Sequence, residues 1–237
     1  MKKTLIIRHN YERTFLNYSL HNIEVIKPDE IFVITDQPFS KTFMKMLTIC
    51  KHTASDVFIA LDADLYIENV NALNDNIHRE YCDSLVIDKF RGPSPAGLHI
   101  YSKKLMEKMI QHQHDKDIDL ERVKRPESDF VWKILKLYNI SFYRSDVIIG
   151  HHDFHQFRED IFYKYVIRGW RTMASECKEW FKDWEKKDDE DYIVARRAIE
   201  WCWENKIQNY PNGIIKQDLK KIFRSYKFQE KMRINYD

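Results

Sequence analysis

The sequence predicts an α/β fold in which a mostly parallel central sheet is flanked by helices and followed by a C-terminal helical extension. Three observations lead to this prediction. Short apolar runs occupy residues 4–7, 31–34 and 57–61, and segments long enough for a helix separate them. Parallel strands are buried on both faces and need such crossovers. After residue 154, strand signals become scarce, and this region holds five of the six tryptophans.

The first half of the chain alternates strand and helix. A helix is predicted over residues 11–23, and a second one follows Ser40, which can cap it. The apolar positions at helical spacing are Phe15, Leu16, Leu20 and Ile23 in the first helix, and Phe43, Met46, Leu47 and Cys50 in the second. In such sheets ligands bind beyond the carboxyl ends of the strands. Residues 8–10, 35–36 and 62–64 are therefore expected to converge on one crevice.

The middle of the chain is less regular. Residues 84–87 and 98–101 are predicted to form strands. The segment between them, residues 91–97, is rich in glycine and proline, so it is predicted to be a loop beside the crevice. A helix is expected over residues 102–111, and a polar connection follows it.

Two more elements complete the sheet domain. A helix begins at Pro126 with carboxylates in its first turn, where the helix dipole favours them, and a strand lies within residues 140–149. We therefore expect a sheet domain over residues 1–155 and a helical extension over residues 156–237.

Apolar and basic residues interleave near the C-terminus. The apolar set is Ile215, Leu219, Ile222, Phe223 and Tyr226, and the basic set is Lys216, Lys220, Lys221, Arg224 and Lys227. A helix with this pattern can lie on an anionic membrane surface, or it can dock its apolar face on the protein core. Both interpretations stay open.

Composition narrows the classes of function. The 237 residues are 43% hydrophobic and 32% charged, which is typical of a folded chain. The net charge is +2, so no nucleic-acid partner is expected. The four cysteines form no CxxC pair, and the first apolar run is too short for a signal peptide or a membrane span. The prediction is a cytoplasmic protein whose contact with the inner face of a membrane, if it has one, is peripheral.

Asp62 and Asp64 follow the third apolar run directly. Two carboxylates one residue apart at a strand end can face one ion, and Mg²⁺ and Mn²⁺ prefer oxygen ligands that they share with phosphate. The alternative is that one carboxylate caps the next turn while the other is solvated. Placement directly after a buried strand favours a site for Mn²⁺ or Mg²⁺.

Residues 57–64, with the sequence VFIALDAD, resemble the strand that leads into the DxD motif of GT-A glycosyltransferases, particularly the family 2-like nucleotide-sugar transferases. The similarity continues in residues 126–131, with the sequence PESDFV, and in the pair His151 and His152. The resemblance implies a GT-A-like (Rossmann-like) sheet and transfer of a sugar from a nucleotide-diphosphate sugar, such as a UDP- or GDP-sugar, to a hydroxyl acceptor. It also implies an acidic base near the helix start and a late histidine in the metal shell.

The residues themselves give the candidates for these roles. An acceptor hydroxyl must lose a proton, and Asp129 or Glu127 can take it, although capping of the helix also explains both acids. Asp129 is the preferred base of the predicted inverting mechanism. His152 is preferred to His151 as a metal ligand, because only one of two neighbours on a strand faces the crevice.

Several polar residues near the predicted strand ends are candidates for binding the nucleotide. They are Arg8, Asn10, Arg13, Asp36, Lys51 and Asp62. Arginine pairs well with phosphate, and aspartate can accept a hydrogen bond from a base or a ribose hydroxyl. The expected acceptor is a glycan, a lipid-linked molecule or a protein.

Three other functions remain open. A haloacid-dehalogenase-type phosphatase also uses a DxD motif after a strand, but that motif normally lies near the start of the chain. A sugar-phosphate nucleotidyltransferase usually carries a glycine-rich loop after its first strand, and this chain has only five glycines. A sugar-binding or scaffold protein would explain the many aromatic residues, but not the acidic and histidine clusters.

Overall fold

The computed structural model of the chain describes residues 1–9, 13–35, 39–115, 125–207 and 216–231. The chain forms two compact units, Met1–Phe154 and His155–Asp237. The first contains a seven-stranded sheet flanked by helices, and the described part of the second contains helices, so the predicted α/β class with a helical extension is confirmed.

The sheet of the first unit has the strand order β2-β1-β3-β6-β5-β7-β4. Its strands are β1 (Lys3–Arg8), β2 (Glu30–Ile34), β3 (Val57–Asp62), β4 (Leu65–Ile67), β5 (Tyr81–Asp88), β6 (Gly92–Ser102) and β7 (Arg144–His152). β1 pairs in parallel with β2 and β3, and β5 pairs in parallel with β7, while the β3–β6, β5–β6 and β4–β7 pairs are antiparallel. The five strands other than β4 and β6 therefore end at the same edge.

Helices cover both faces of this sheet. They are α1 (Phe15–Ile26), α2 (Phe39–Lys51), α3 (Val70–Asn76), α4 (Lys103–Gln111) and α5 (Pro126–Leu137). Alternate residues of β1 and β3 contribute to two separate cores, as a strand buried on both faces requires. Leu5 and Ile59 belong to one core, whereas Ile6, Phe58 and Phe43 of α2 belong to the other.

The prediction of a loop over residues 91–97 was wrong, because β6 starts at Gly92 and pairs with β5 from there. Strand β3 pairs with β6 only from Leu98 to Ser102, so the prolines Pro93 and Pro95 have a strand neighbour on one side. Proline lacks the backbone N–H that a central strand needs, but it is tolerated along such an edge.

The second unit consists of helices in its described part. These are α6 (Arg158–Arg171), α7 (Ala174–Trp184), α8 (Glu190–Glu204) and α9 (Lys216–Ser225). Gly169 of α6 lets α8 approach closely, since a Cβ at that position would lie 3.1 Å from the Cα of Ile199. The Glu230 carboxylate accepts hydrogen bonds from the N–H groups of Arg158 and Glu159 and so caps α6.

The apolar face of α9 is docked on protein. Leu219 and Phe223 are buried, and the Phe223 ring meets the Phe162 ring of α6 edge-on at 5.9 Å. Of the two interpretations of the basic helix, the structure therefore shows its apolar face docked on the protein. Ile215, which belongs to the predicted apolar set, lies outside the described residues. No helix in the described ranges is both long and apolar enough to span a membrane.

Candidate functional site

Several polar side chains meet where the parallel strands end. Arg8 ends β1 and lies opposite Asp62, the last residue of β3. Asp88 ends β5 and lies opposite His152, the last residue of β7. This is the edge at which sheets of this class bind ligands.

Asp62 and Asp64 lie on either side of Ala63, which is fully buried and donates its N–H to the carbonyl of Arg8. The Asp64 side chain is buried, whereas one third of the Asp62 side chain is exposed. The pair therefore combines a fixed carboxylate with one that can still meet a ligand from solvent.

His152 completes a three-residue group with these two acids. One potential ligand atom from each of Asp62, Asp64 and His152 lies within 4.8 Å of the others. The ring of His152 is buried, and its Nε2 is 3.2 Å from Oδ1 of Asp64. His151 faces elsewhere and pairs with Glu68 at 2.8 Å, so the neighbouring histidines diverge as strand alternation predicts.

Asp88, which the sequence reasoning missed, orients His152. Its Oδ2 lies 3.1 Å from Nδ1 of the ring. A carboxylate can only accept, so Nδ1 carries the proton in this contact, and in the neutral ring Nε2 presents a lone pair toward Asp64. Arg91 neutralises Asp88 through Nε at 3.0 Å. The only sequence signal was an acid at a strand end.

The group formed by Asp62, Asp64 and His152 fits a divalent cation. Two acceptors, the Nε2 lone pair and the Asp64 oxygen, face each other at 3.2 Å, which requires a proton or a cation between them. Adjacent ligands about 2.1 Å from an octahedral ion lie about 3.0 Å apart, close to this separation. A carboxylate holding the far ring nitrogen is the usual support for a metal-ligating histidine.

Asp88, His152 and Asp153 form a second group with ligand atoms within 4.8 Å of one another. All three side chains are buried, and Asp88 is already ion-paired with Arg91. The first group is the better candidate, because only Asp62 offers an exposed carboxylate to an incoming ligand.

Gly97 of β6 packs directly on His152. It has φ +71°, and a Cβ there would lie 3.0 Å from Leu65 Cδ1 and 3.2 Å from His152 Cδ2. Glycine therefore serves both the left-handed backbone and the space that the imidazole ring needs.

Arg8 and Glu127 form an ion pair with each other. Arg8 was predicted to bind the nucleotide, but its guanidinium is buried between two carboxylates, at 2.8 Å from Asp62 and in an ion pair with Glu127. Glu127 was a candidate base, but it is buried and also accepts a 2.6 Å hydrogen bond from the Tyr101 hydroxyl. Both side chains are thus engaged within the protein.

The carboxylate of Glu127 is held in its charged form. Burial on its own raises the pKa of this group, but the charges of Arg8 and His99 and the hydrogen bonds from Tyr101 and Arg8 together lower it below its ordinary value. A buried carboxylate with a lowered pKa is a poor acceptor for the proton of an incoming hydroxyl.

Asp129 is exposed on the first turn of α5. Residues two positions apart in an α-helix point about 200° apart around its axis. Asp129 therefore faces away from the side of α5 on which Glu127 meets Arg8. The structure does not bring it together with Asp62, Asp64 and His152.

The remaining predicted nucleotide ligands are dispersed. Lys51 is exposed at the end of α2, before β3 begins, so it lies at the opposite edge of the sheet from Asp62, about 20 Å away along β3. The structure therefore does not bring Lys51 together with Asp62. Arg13 is exposed between β1 and α1, at the correct edge. Asn10 and Asp36 lie outside the described residues.

Comparisons with known proteins find matches among solved structures. No protein-family model and no curated protein sequence matches the chain. Similar solved structures include a 4-diphosphocytidyl-2C-methyl-D-erythritol synthase from Anaerococcus prevotii, with 8% identity, TM-score 0.46, and coverage of 84% of this chain and 99% of that chain. A glycosyltransferase involved in glycosylation of the major capsid of PBCV-1 has 13% identity and TM-score 0.41, covering 64% of this chain and 94% of its own.

A CMP:2-keto-3-deoxy-manno-octonic acid synthetase complexed with CTP has 12% identity and TM-score 0.38, covering 63% of this chain and 91% of its own. The first of these similar proteins is named as a synthase, the second as a glycosyltransferase and the third as a synthetase. At such identities and TM-scores the similarities carry no argument about activity, which therefore rests on the geometry of the site.

Proposed function

We propose that this protein is a metal-dependent glycosyltransferase that moves a sugar from a nucleotide-diphosphate sugar, a UDP- or GDP-sugar, to a hydroxyl of a glycan, lipid-linked or protein acceptor. One observation carries the proposal. Oδ1 of Asp64 and Nε2 of His152 lie 3.2 Å apart, beside Asp62, whose side chain is one third exposed, at the carboxyl edge of parallel strands. Such a group suits a cation that also meets phosphate oxygens.

Mn²⁺ or Mg²⁺ is the proposed cation, held by Asp62, Asp64 and His152. Two carboxylates suit both ions, and the imidazole favours Mn²⁺, since Mg²⁺ prefers an all-oxygen shell. When bound, the cation supplies positive charge against the diphosphate leaving group. Asp88 keeps the His152 ring in the orientation that binding needs.

Fewer residues are proposed to bind the nucleotide than the sequence predicted. Arg8 serves Asp62 and Glu127, and Lys51 lies at the wrong edge. Arg13 remains a candidate for the phosphates, because it is exposed next to the end of β1. Asn10 and Asp36 remain predictions.

Asp129 is the proposed base for the acceptor hydroxyl. Glu127 is enclosed by Arg8 and Tyr101, whereas Asp129 is exposed on the side of α5 that faces away from Arg8, so as the base it would take its proton from an acceptor bound on that side. An inverting displacement would use it once in each turnover.

A product assay tests the proposed function. The purified chain is incubated with UDP- and GDP-sugars and Mn²⁺, with and without excess chelator, and the release of nucleoside diphosphate is measured. We expect release from one donor only when Mn²⁺ or Mg²⁺ is present. Formation of pyrophosphate from a nucleoside triphosphate and a sugar 1-phosphate would instead identify a nucleotidyltransferase, and full activity in chelator would exclude the metal site.

A further inference from the structure

Glu127, at the start of α5, is linked to the site through Arg8. Glu127 ion-pairs with Arg8, and the other terminal nitrogen of the same guanidinium lies 2.8 Å from Oδ1 of Asp62. We propose that Glu127 is a positioning residue of the metal site, which acts on Asp62 through Arg8 and takes no proton from the acceptor. This inference rests on the proposed metal site and assigns the support of one of its ligands.

The geometry fixes one end of Asp62. Arg8 is 6% exposed, lies opposite Asp62 in the β1–β3 ladder, and places its guanidinium 5.3 Å from the centre of the Phe39 ring. Because Arg8 is held on three sides, its contact with Oδ1 orients the Asp62 carboxylate. The second oxygen of Asp62 is then left for the cation and the donor.

Charge balance gives Glu127 a second effect on the same site. A guanidinium so close to a metal ligand repels a divalent cation and competes with it for Asp62. The charge of Glu127 offsets that of Arg8, so that Asp62 and Asp64 retain together the two negative charges that a divalent cation needs. Without the Glu127 charge, Arg8 would cancel one of these two.

The enclosure of Glu127 supports the same assignment. The side chain is 5% exposed, one oxygen accepts from Tyr101 at 2.6 Å, and the other lies in the ion pair with Arg8 and 3.9 Å from Nε2 of His99. An acceptor hydroxyl would have to displace one of these partners to reach the carboxylate. The contacts therefore support a residue that acts on its protein neighbours.

Manganese affinity distinguishes the two roles of Glu127. Glu127→Gln keeps the shape and removes the charge, and the dissociation constant of Mn²⁺ is measured from the EPR signal of the free ion. We expect binding to weaken about 10- to 100-fold, the usual effect of removing a group that supports a metal ligand. A base would instead leave Mn²⁺ affinity unchanged and lower only turnover. Asp191→Asn is the matched control, because Asp191 is another buried carboxylate paired with an arginine, Arg158 at 3.1 Å, and it belongs to the second unit.

A double variant tests whether Arg8 carries the effect. Arg8→Met combined with Glu127→Gln again leaves Asp62 and Asp64 with two uncompensated charges, so Mn²⁺ affinity should recover at least several-fold relative to Glu127→Gln alone. The Mn²⁺ affinity of Glu127→Asp, which keeps the charge, should stay closer to that of the unsubstituted chain. Melting temperatures establish that each variant is folded.

The outcomes separate this inference from the proposed function. Unchanged Mn²⁺ affinity in Glu127→Gln, or further weakening in the double variant, overturns the positioning role and leaves the metal site standing. Absence of Mn²⁺ binding by the unsubstituted chain overturns the metal site itself, and the positioning role with it.

Discussion

Arg8 and Glu127, 119 residues apart in the sequence, form a buried ion pair that joins the end of β1 to the start of α5. Removing one partner of a buried pair leaves the other charge uncompensated, which typically costs about 3–5 kcal/mol. The pair therefore couples the stability of the first unit to the charge of Glu127.

Glu127→Gln should lower the melting temperature most at neutral pH. The Glu127 pKa is lowered from 4.5 in the folded protein, so its stabilising contribution is complete above pH 4.5 and is lost as the pH falls through the folded value. Thermal melts in chelator at pH 7, 5, 4 and 3 should show a difference in melting temperature between the unsubstituted chain and Glu127→Gln that narrows below pH 4.5. Asp75→Asn, at an exposed position on α3, is the control. A gap that widens toward low pH would contradict the ionised pair.

Gly97→Ala should disturb the proposed metal site through His152. The added Cβ would lie 3.2 Å from His152 Cδ2, so the ring must move by a few tenths of an ångström. Titration with Mn²⁺ should show affinity several-fold weaker than in the unsubstituted chain.

Gly92→Ala provides the matched control for this change. Gly92 has the same φ of +71°, but a Cβ there meets no atom within 4 Å. Both alanines introduce strain of about 1–2 kcal/mol from the left-handed backbone, so stability should fall similarly. Equal Mn²⁺ affinities in the two variants would show that contact with His152 is unimportant.

Asp88→Asn should weaken Mn²⁺ binding about 10- to 100-fold, because the variant no longer holds the Nδ1 proton of His152 with a charged acceptor. Isothermal titration with Mn²⁺ measures the effect, and Asp146→Asn, at an exposed position on the same β7 strand, should bind normally. Normal binding by Asp88→Asn would remove the orienting role.

Local patterns were enough to predict part of this arrangement. The apolar runs that became β1, β2 and β3 are each visible within a few residues, and strand alternation separated His152 from His151. The position of Lys51 could have been predicted in the same way, because a helix that precedes β3 must end near the start of β3, opposite Asp62.

The supporting contacts could not be predicted from local patterns. Asp88 reaches His152 across 64 residues, and Arg8 reaches Glu127 across 119. Such pairs depend on the register of β5 with β7 and on the packing of α5. Neither can be predicted from a short stretch of sequence. The start of β6 at Gly92 could not be predicted for a related reason. Its prolines are tolerated because this part of β6 pairs with β5 and not with β3, and that pairing is a long-range feature.

Replacement of Asp62 or Asp64 by alanine should weaken metal-dependent donor binding. Asp62→Ala and Asp64→Ala each remove one proposed ligand, and the fold should survive, because neither side chain belongs to the apolar core. Thermal shift with nucleoside diphosphates, with and without Mn²⁺, measures the change, since a ligand that binds only the folded chain raises its melting temperature. Unchanged diphosphate affinity in both variants would remove the central argument for the site.

Asp129→Asn tests the proposed base. Asparagine keeps the shape and some of the capping capacity of aspartate but cannot take a proton from an acceptor hydroxyl. If general-base catalysis contributes its usual factor, turnover should fall by roughly 10²- to 10⁴-fold, while Mn²⁺ affinity and the KM for the donor stay nearly constant.

Comparison with Glu127→Gln identifies which acid takes the proton. Glu127 is enclosed by Arg8 and Tyr101, so its loss should act on Mn²⁺ affinity, whereas loss of the exposed Asp129 should act on turnover alone. Full turnover in Asp129→Asn, together with an inactive Glu127→Gln whose Mn²⁺ affinity is normal, would reverse these roles. Full turnover in both variants at saturating Mn²⁺ would make the start of α5 structural, and a retaining mechanism without this base would then be the better account.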